Sequence, residues 1–259
     1  EAYSNLGGIL RDLGKLQEAE KSYLKAIELN PNFSEAYSNL GGILRDLGKL
    51  QEAEIYTRKA IELNPNFPMA HSNLGGILRD LDKLQEAEIY TRKAIELNPE
   101  FANAYSNLGV ILRDLGKLQE AKIYTRKAIE LNPEFANAYS NLGGIFSDLG
   151  KLQEAEKSYL KAIKINSYDS KTFFALSTLE LSSKNEIWRD QLFSKNLLHN
   201  KSKKDKVNIY FAKANILHRE SNFKESSKYL QLANNLKQKL NSSNIKDLLN
   251  KSKKLLLES

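Results

Sequence analysis

Along residues 35–47 the apolar and polar side chains recur at the period of a helix rather than of a strand. Drawn at about 100° per residue, Ile43, Ala36, Leu47, Leu40, Leu44 and Tyr37 fall on one continuous arc. Arg45, Ser38, Gly42, Glu35, Asp46 and Asn39 fall on the opposite one. This predicts a two-faced helix. Gly48 then stands where a left-handed cap would end it. Leu50, Ala53, Ala60, Ile61 and Leu63 supply the inner face of a second helix, expected over residues 50–63. Pro65 cannot continue that helix and biases Asn64 away from helical geometry.

The unit recurs. The stretch "AYSNLGGILRDLGKLQEA" fills residues 2–19 and returns unchanged at 36–53, and close variants start at Ala70, Ala104 and Ala138, each 34 residues on. Asn-Pro closes the units at residues 30–31, 64–65, 98–99 and 132–133, and Asn166-Ser167 closes the fifth. Small residues at Gly41, Ala53 and Ala60 let helix axes approach closely. One helix pair cannot enclose its own apolar arc, so neighbouring pairs must stack into a solenoid. The expected fold is therefore all-α, an array of antiparallel helix pairs.

Past Asp169 the pattern loosens. Residues 170–182 and 186–198 read as a further helix pair containing Trp188, the single tryptophan. The basic stretch "HNKSKKDK" at 199–206 reads as an exposed joint. Residues 207–240 recover the repeat spacing through Tyr210, Ala214, Leu217, Phe223, Leu230 and Ala233, with Lys213 and Ser226 in place of the usual Leu and Ala. The organisation expected is five regular units over 1–169, two divergent pairs over 170–240, and a capping or linker helix over 241–259. Beginning at Glu1 and ending in "LLLES", the sequence reads as a piece of a longer chain.

Charge separates the two parts. Residues 1–169 carry 21 basic and 24 acidic side chains, net −3, whereas residues 170–259 carry 18 and 8, net +10. Lys201, Lys203, Lys204, Lys206, Lys251, Lys253 and Lys254 could attract a polyanion. Aromatic residues for base stacking are not interleaved with them, so a solvated joint and tail is preferred and no nucleic-acid partner is expected. There is no cysteine, which excludes thiolate metal sites and disulfides and fits a cytoplasmic setting. His71, His199 and His218 lack ligand spacing. No apolar run approaches the roughly 18 residues of a membrane span. No Gly-rich phosphate loop, metal cluster or paired catalytic carboxylates can be picked out. The chain is read as no enzyme, with no cofactor and no metal.

What remains is the polar arc of each first helix. Asparagine costs a helix several tenths of a kcal/mol against alanine, yet Asn5, Asn39, Asn73, Asn107 and Asn141 recur there. An amide offers both the donor and the acceptor that an extended peptide backbone needs. Gly42 and Gly76 would let a ligand approach the helix backbone, and Val110 would narrow that approach. Arg45, Arg79 and Arg113 could accept carboxylates, with Asp46, Asp80 and Asp114 beside them as further candidates for peptide contact. Alternatives stand for both sets. The asparagines could fix the stacking or be shared through duplication, and the arginines could pair with these same aspartates or a neighbouring unit's Glu.

The series Tyr37, Leu40-Gly41, Leu44, Gly48, Ala53, Ala60, Pro65 resembles the tetratricopeptide repeat, in five copies over residues 1–169. That resemblance implies a right-handed superhelix whose first helices line a concave groove that binds a protein or peptide segment. The wording "NPEFANAYSNLG" is similar to the repeats that precede O-linked N-acetylglucosamine transferase domains and to those of cyanobacterial sulfotransferase-type proteins. It implies an asparagine ladder that holds peptide main chain, and it keeps open a second reading as the substrate-docking arm of a larger transferase. A third reading, self-association as a homo-oligomer, comes from the middle units. There the aromatic stands one residue earlier than Tyr23 and Tyr159 of the first and fifth, as Ile55-Tyr56, Ile89-Tyr90 and Ile123-Tyr124. Facing outward they would form an apolar strip; facing inward they would be core.

Overall fold

The computed structural model describes residues 1–179, 186–199 and 201–257. All regular structure among them is helical. The regular units contribute α1 (Ala2–Asp12), α2 (Leu16–Leu29), α3 (Ser34–Asp46), α4 (Leu50–Leu63), α5 (Pro68–Asp80), α6 (Leu84–Leu97), α7 (Ala102–Asp114), α8 (Leu118–Leu131), α9 (Ala136–Asp148) and α10 (Leu152–Ile165). Then follow α11 (Ser170–Thr178), α12 (Glu186–Phe193), a short 3-10 turn, α13 (Lys203–Arg219) and α14 (Phe223–Leu257). The chain divides into two compact units, residues 1–141 and 142–259.

Each first helix of the regular pairs stops by the same device. Beyond Leu47, Gly48 takes φ 76°, its N–H donates to the Arg45 carbonyl at 2.9 Å and that of Lys49 to the Leu44 carbonyl at 2.8 Å. These two bonds satisfy carbonyls a helix end would otherwise strand. Asp82 replaces glycine in the third unit at φ 61° with the same pair of bonds. A short polar side chain tolerates the left-handed region better than most. Each second helix of units one to five ends on an asparagine in extended conformation. The Asn64 side-chain oxygen there accepts from the Asn66 N–H at 3.2 Å, and in the following helix Pro68 occupies the first turn, where no N–H is missed.

In the first unit of the fold, α1 packs on α2, α3 on α4, α5 on α6 and α7 on α8. The helices α2, α4 and α6 also meet the first helix that follows each, and α1 meets α3, α3 meets α5 and α5 meets α7. The seam is filled by Leu40, Ile43, Leu74, Ile77, Leu108 and Ile111, all fully buried, against Ala53, Ala60, Ala87 and Ala94.

The aromatic shift along the second helices has a packing reason. In the first pair a Cβ on Gly7 would come within 2.8 Å of the Tyr23 ring; in the fifth, a Cβ on Gly143 would come within 2.6 Å of the Tyr159 ring. In the middle pairs the position of Tyr23 belongs to Thr57, Thr91 and Thr125, all fully buried, and a Cβ on Gly41, Gly75 or Gly109 would overlap the threonine hydroxyl oxygen. The displaced tyrosines move one residue back and pack against their own first helix. Ring centroids lie 6.1 Å apart for Tyr37–Tyr56, 5.9 Å for His71–Tyr90 and 6.2 Å for Tyr105–Tyr124.

The second unit continues with α10 on α11, α11 on α13 and α13 on α14. Of the segment expected as an exposed joint, residues 203–206 form the first turn of α13, capped by Ser202, which accepts from the Asp205 N–H at 3.1 Å, and residue 200 lies outside the described ones. Lys201 donates to the Tyr168 carbonyl at 2.7 Å. The helix expected over 170–182 ends at Thr178, and residues 180–182 lie outside the described ones. Residues 241–257 continue α14 rather than starting a helix of their own. Lys213, in a leucine position, is 4% exposed, with its ammonium 5.4 Å from the ring centroids of both Phe193 and Tyr229.

Candidate functional site

The first helices of neighbouring pairs are joined by their polar residues. The Asn73 amide donates to Ser38 Oγ at 3.1 Å, Asn107 to Ser72 Oγ at 3.0 Å and Asn141 to Ser106 Oγ at 3.0 Å. The serines are buried and the asparagines half-buried. Each amide has two N–H groups and a carbonyl, and the serine engages one N–H. The asparagines thus tie each first helix to the one before it. Asn39 is half-buried like its counterparts, and Asn5 on α1 is exposed.

The arginines are likewise spoken for. Arg45 Nε donates to Asp80 at 2.6 Å and Arg79 Nε to Asp114 at 2.5 Å, each reaching the next pair. Asp46 and Arg113 are engaged as well. With about a third of each Arg45 and Asp80 side chain exposed, such a pair contributes about 0.5–1 kcal/mol. A Cβ on Gly42 would meet open space, whereas at Gly76 it would lie 2.6 Å from Arg45 Nη1. Close approach of a ligand to the helix backbone is therefore open at Gly42 and taken by Arg45 at Gly76.

Two further ladders escaped sequence reasoning. Lys49 reaches Glu20 at 2.5 Å, Lys83 reaches Glu54 at 2.9 Å and Lys117 reaches Glu88 at 2.8 Å, always from one pair to the one before. Arg58 donates to Glu86 at 2.6 Å and to the Tyr90 hydroxyl at 2.9 Å, and Arg92 repeats this with Glu120 and Tyr124. Burial opposes the charge of Glu54, but Lys83 and Arg58 outweigh it and hold its carboxyl below the ordinary carboxylate range. Glu88 is held down in the same way by Lys117 and Arg92. The signal was present in the letters: unlike charges recur together at separations of 28, 29 and 35 residues.

The Ile-Tyr pairs split. Ile55, Ile89 and Ile123 are 67%, 66% and 62% exposed, while Tyr56, Tyr90 and Tyr124 are half-buried. Among the described residues no three His, Cys, Asp or Glu side chains gather as a metal site, and no helix is long and apolar enough to cross a membrane.

A family model, the tetratricopeptide repeat, matches residues 1–33, 34–67, 102–135 and 136–169, and a second model of the same repeat matches 68–101. The chain belongs to the tetratricopeptide-repeat family. Repeats of this family generally mediate protein–protein interactions. Among solved structures, this tetratricopeptide-repeat chain is similar to MamA at 28% identity, over 62% of this chain and 94% of that one, with a TM-score of 0.50. It also resembles TTC0263, a thermophilic protein of this family in Thermus thermophilus, at 22% identity, over 66% and 93% of the two chains, with a TM-score of 0.61. The Cut9–Hcn1 hetero-tetramer of APC/C shares the fold at 18% identity, over 89% of this chain and 42% of that one, with a TM-score of 0.66. No curated protein matches the sequence.

Proposed function

We propose that this tetratricopeptide-repeat chain is a non-catalytic protein-interaction module whose row of first helices holds an extended peptide or partner segment. The observation that carries the reading is the constant hold of serine on asparagine at 3.0–3.1 Å along the row. A side-chain amide anchored through one N–H keeps its carbonyl at a defined angle, which is the preorganisation that main-chain recognition requires. The mutual contacts of α1, α3, α5 and α7 support their forming the inner wall of a bend. Arg45, Asp46, Arg79, Asp80, Arg113 and Asp114 border the row, and their salt-bridged heads would select side chains at its rim. The lack of cysteine accords with a cytoplasmic setting. A second reading, assembly of copies through the outer isoleucines, draws support from their exposure of 62–67%.

The test uses peptides selected from a random display library on the intact chain. Replacing Asn39, Asn73 and Asn107 together by Ala removes up to three hydrogen-bonding amides at about 0.5–1.5 kcal/mol each. Affinity should fall by about tenfold or more. Helicity should change little, since alanine repays several tenths of a kcal/mol of propensity per site against the lost ties to Ser38 and Ser72. Undiminished affinity in the triple variant would defeat the reading.

A further inference from the structure

In the first unit a serine on one first helix holds an asparagine of the next; between α11 and α13 that tie is rebuilt. Phe173 and Phe174 stand four repeats beyond Tyr37 and Ser38. Phe173 is fully buried, whereas Phe174, in the serine's place, is 37% exposed. It stays so with the following first helix, α13, already packed on α11. Its ring centroid lies 6.1 Å from that of Phe211 on α13, the planes tilted by 53°, within the range of a favourable aromatic pair. The ties have moved to either side of the rings. Asn208 donates to Ser170 Oγ at 3.3 Å and Asn215 to Ser177 Oγ at 3.1 Å. Both serines are buried, and both asparagines are half-buried, as is Phe211. Ser170, Phe174 and Ser177 follow one another by four and three residues, and Asn208, Phe211 and Asn215 by three and four. Each set therefore shares one helix face.

The surroundings are basic. The helices α11 and α13 carry six Lys and Arg side chains against a single carboxylate, Asp205. That carboxylate is taken by the hydroxyls of Ser170 and Ser202, each at 2.6 Å. Lys171 lies one turn before Phe174 and Lys204 one turn before Asn208, and both are exposed. We infer that the Phe174–Phe211 pair seats one large apolar side chain of an extended acidic segment in a partner protein. The rings supply the apolar contact. On either side of them an asparagine amide offers a carbonyl and a second N–H, the pair that an extended main chain bonds. Lys171 and Lys204 face carboxylates on one flank of the segment. A run of bases fits less well, because rings tilted by 53° present no parallel platform for successive stacking. All these residues belong to the second unit, so the site does not depend on the serine–asparagine row of the first.

The experiment titrates the full chain into a fluorescein-labelled peptide, Asp-Glu-Asp-Phe-Asp-Glu-Asp, and follows its anisotropy. Binding should saturate below about 1 mM. A peptide of the same charge with Ala in place of Phe should bind about tenfold more weakly, which reads the apolar contact without touching the fold. Phe174→Ala should cost a similar factor with the circular dichroism unaltered, and Asn215→Ala should cost several-fold. Lys171→Glu with Lys204→Glu should weaken binding further at low salt than at high salt. Replacing Asn39, Asn73 and Asn107 together by Ala should leave this affinity as it is, so failure here and failure of the row in the first unit are told apart. No saturation by about 1 mM, equal binding of the Ala peptide, undiminished affinity of the Phe174→Ala chain, or loss of affinity in the triple asparagine variant overturns the proposal. Tighter binding of a labelled thymidine oligonucleotide that Phe174→Ala abolishes overturns the choice of partner.

Discussion

Lys213 sits where the regular pairs place Leu40, Leu74 and Leu108, and it is 4% exposed against their 0%. Burial alone pushes its ammonium below the ordinary lysine range, and the rings of Phe193 and Tyr229 at 5.4 Å compensate in part. The change Lys213→Leu gives up two cation–π contacts, each worth about 0.5–2 kcal/mol. It gains about 1.5–3 kcal/mol of apolar burial and removes a desolvation penalty of several kcal/mol. The net expectation is a stabilisation of about 1–3 kcal/mol near neutral pH. With a slope of about 1–3 kcal/mol per molar urea, the midpoint should rise by about 1 M. Trp188, the single tryptophan, is 7% exposed in the same unit and reports its unfolding by fluorescence. The sign with pH follows from linkage. Below the folded-state pKa the residue is charged in both states and the penalty is fully present. Between that value and the ordinary lysine value the unfolded chain binds more protons, so the native chain gains stability as pH rises. The advantage of Lys213→Leu should therefore shrink toward alkaline pH. A variant that is less stable, or one whose advantage stays constant up to pH of about 10.5, would refute the reasoning.

Two further outcomes are expected. Gly75→Ala places a methyl against Thr91 Oγ1 and 3.1 Å from the Ala87 carbonyl oxygen. The overpacking cost of about 1–3 kcal/mol should exceed the gain of about 1 kcal/mol in helix propensity. Chemical denaturation should show a net loss, and Thr91→Ala in the same chain should recover about 1 kcal/mol or more as a coupling energy; net stabilisation by Gly75→Ala alone would contradict this. Lysine at 55, 89 and 123 should leave the circular dichroism unchanged, because Ile55, Ile89 and Ile123 are mostly exposed. It should also remove any concentration-dependent rise in light scattering, and a rise that survives would exclude assembly through this strip.

Much of the fold was legible because local rules and stacking agree. The second helix expected over 50–63 is Leu50–Leu63, and the first differs from its expected span by one residue at each end. Partnership was less legible. Identical letters at a fixed period cannot distinguish a side chain retained for contact from one inherited by duplication, so Asn73 could be read toward a ligand or toward Ser38. The split between Ile55 and Tyr56 was hidden for another reason. Adjacent helix positions are about 100° apart, and only the position of Thr57 against Gly41 decides which of the two turns inward. Lys213 was legible as standing in a leucine's inward place, but nothing local signals that aromatic rings from α12 and α14 enclose it.

The matched junctions of the middle pairs carry one consequence for the history of the gene. Were residues 68–101 excised, Arg45 would face Asp114 and Asn107 would face Ser38, so every bond at the new seam would be remade. Loss or gain of a whole 34-residue copy thus leaves a junction with the same residues on both sides, whereas a change of any other length would not.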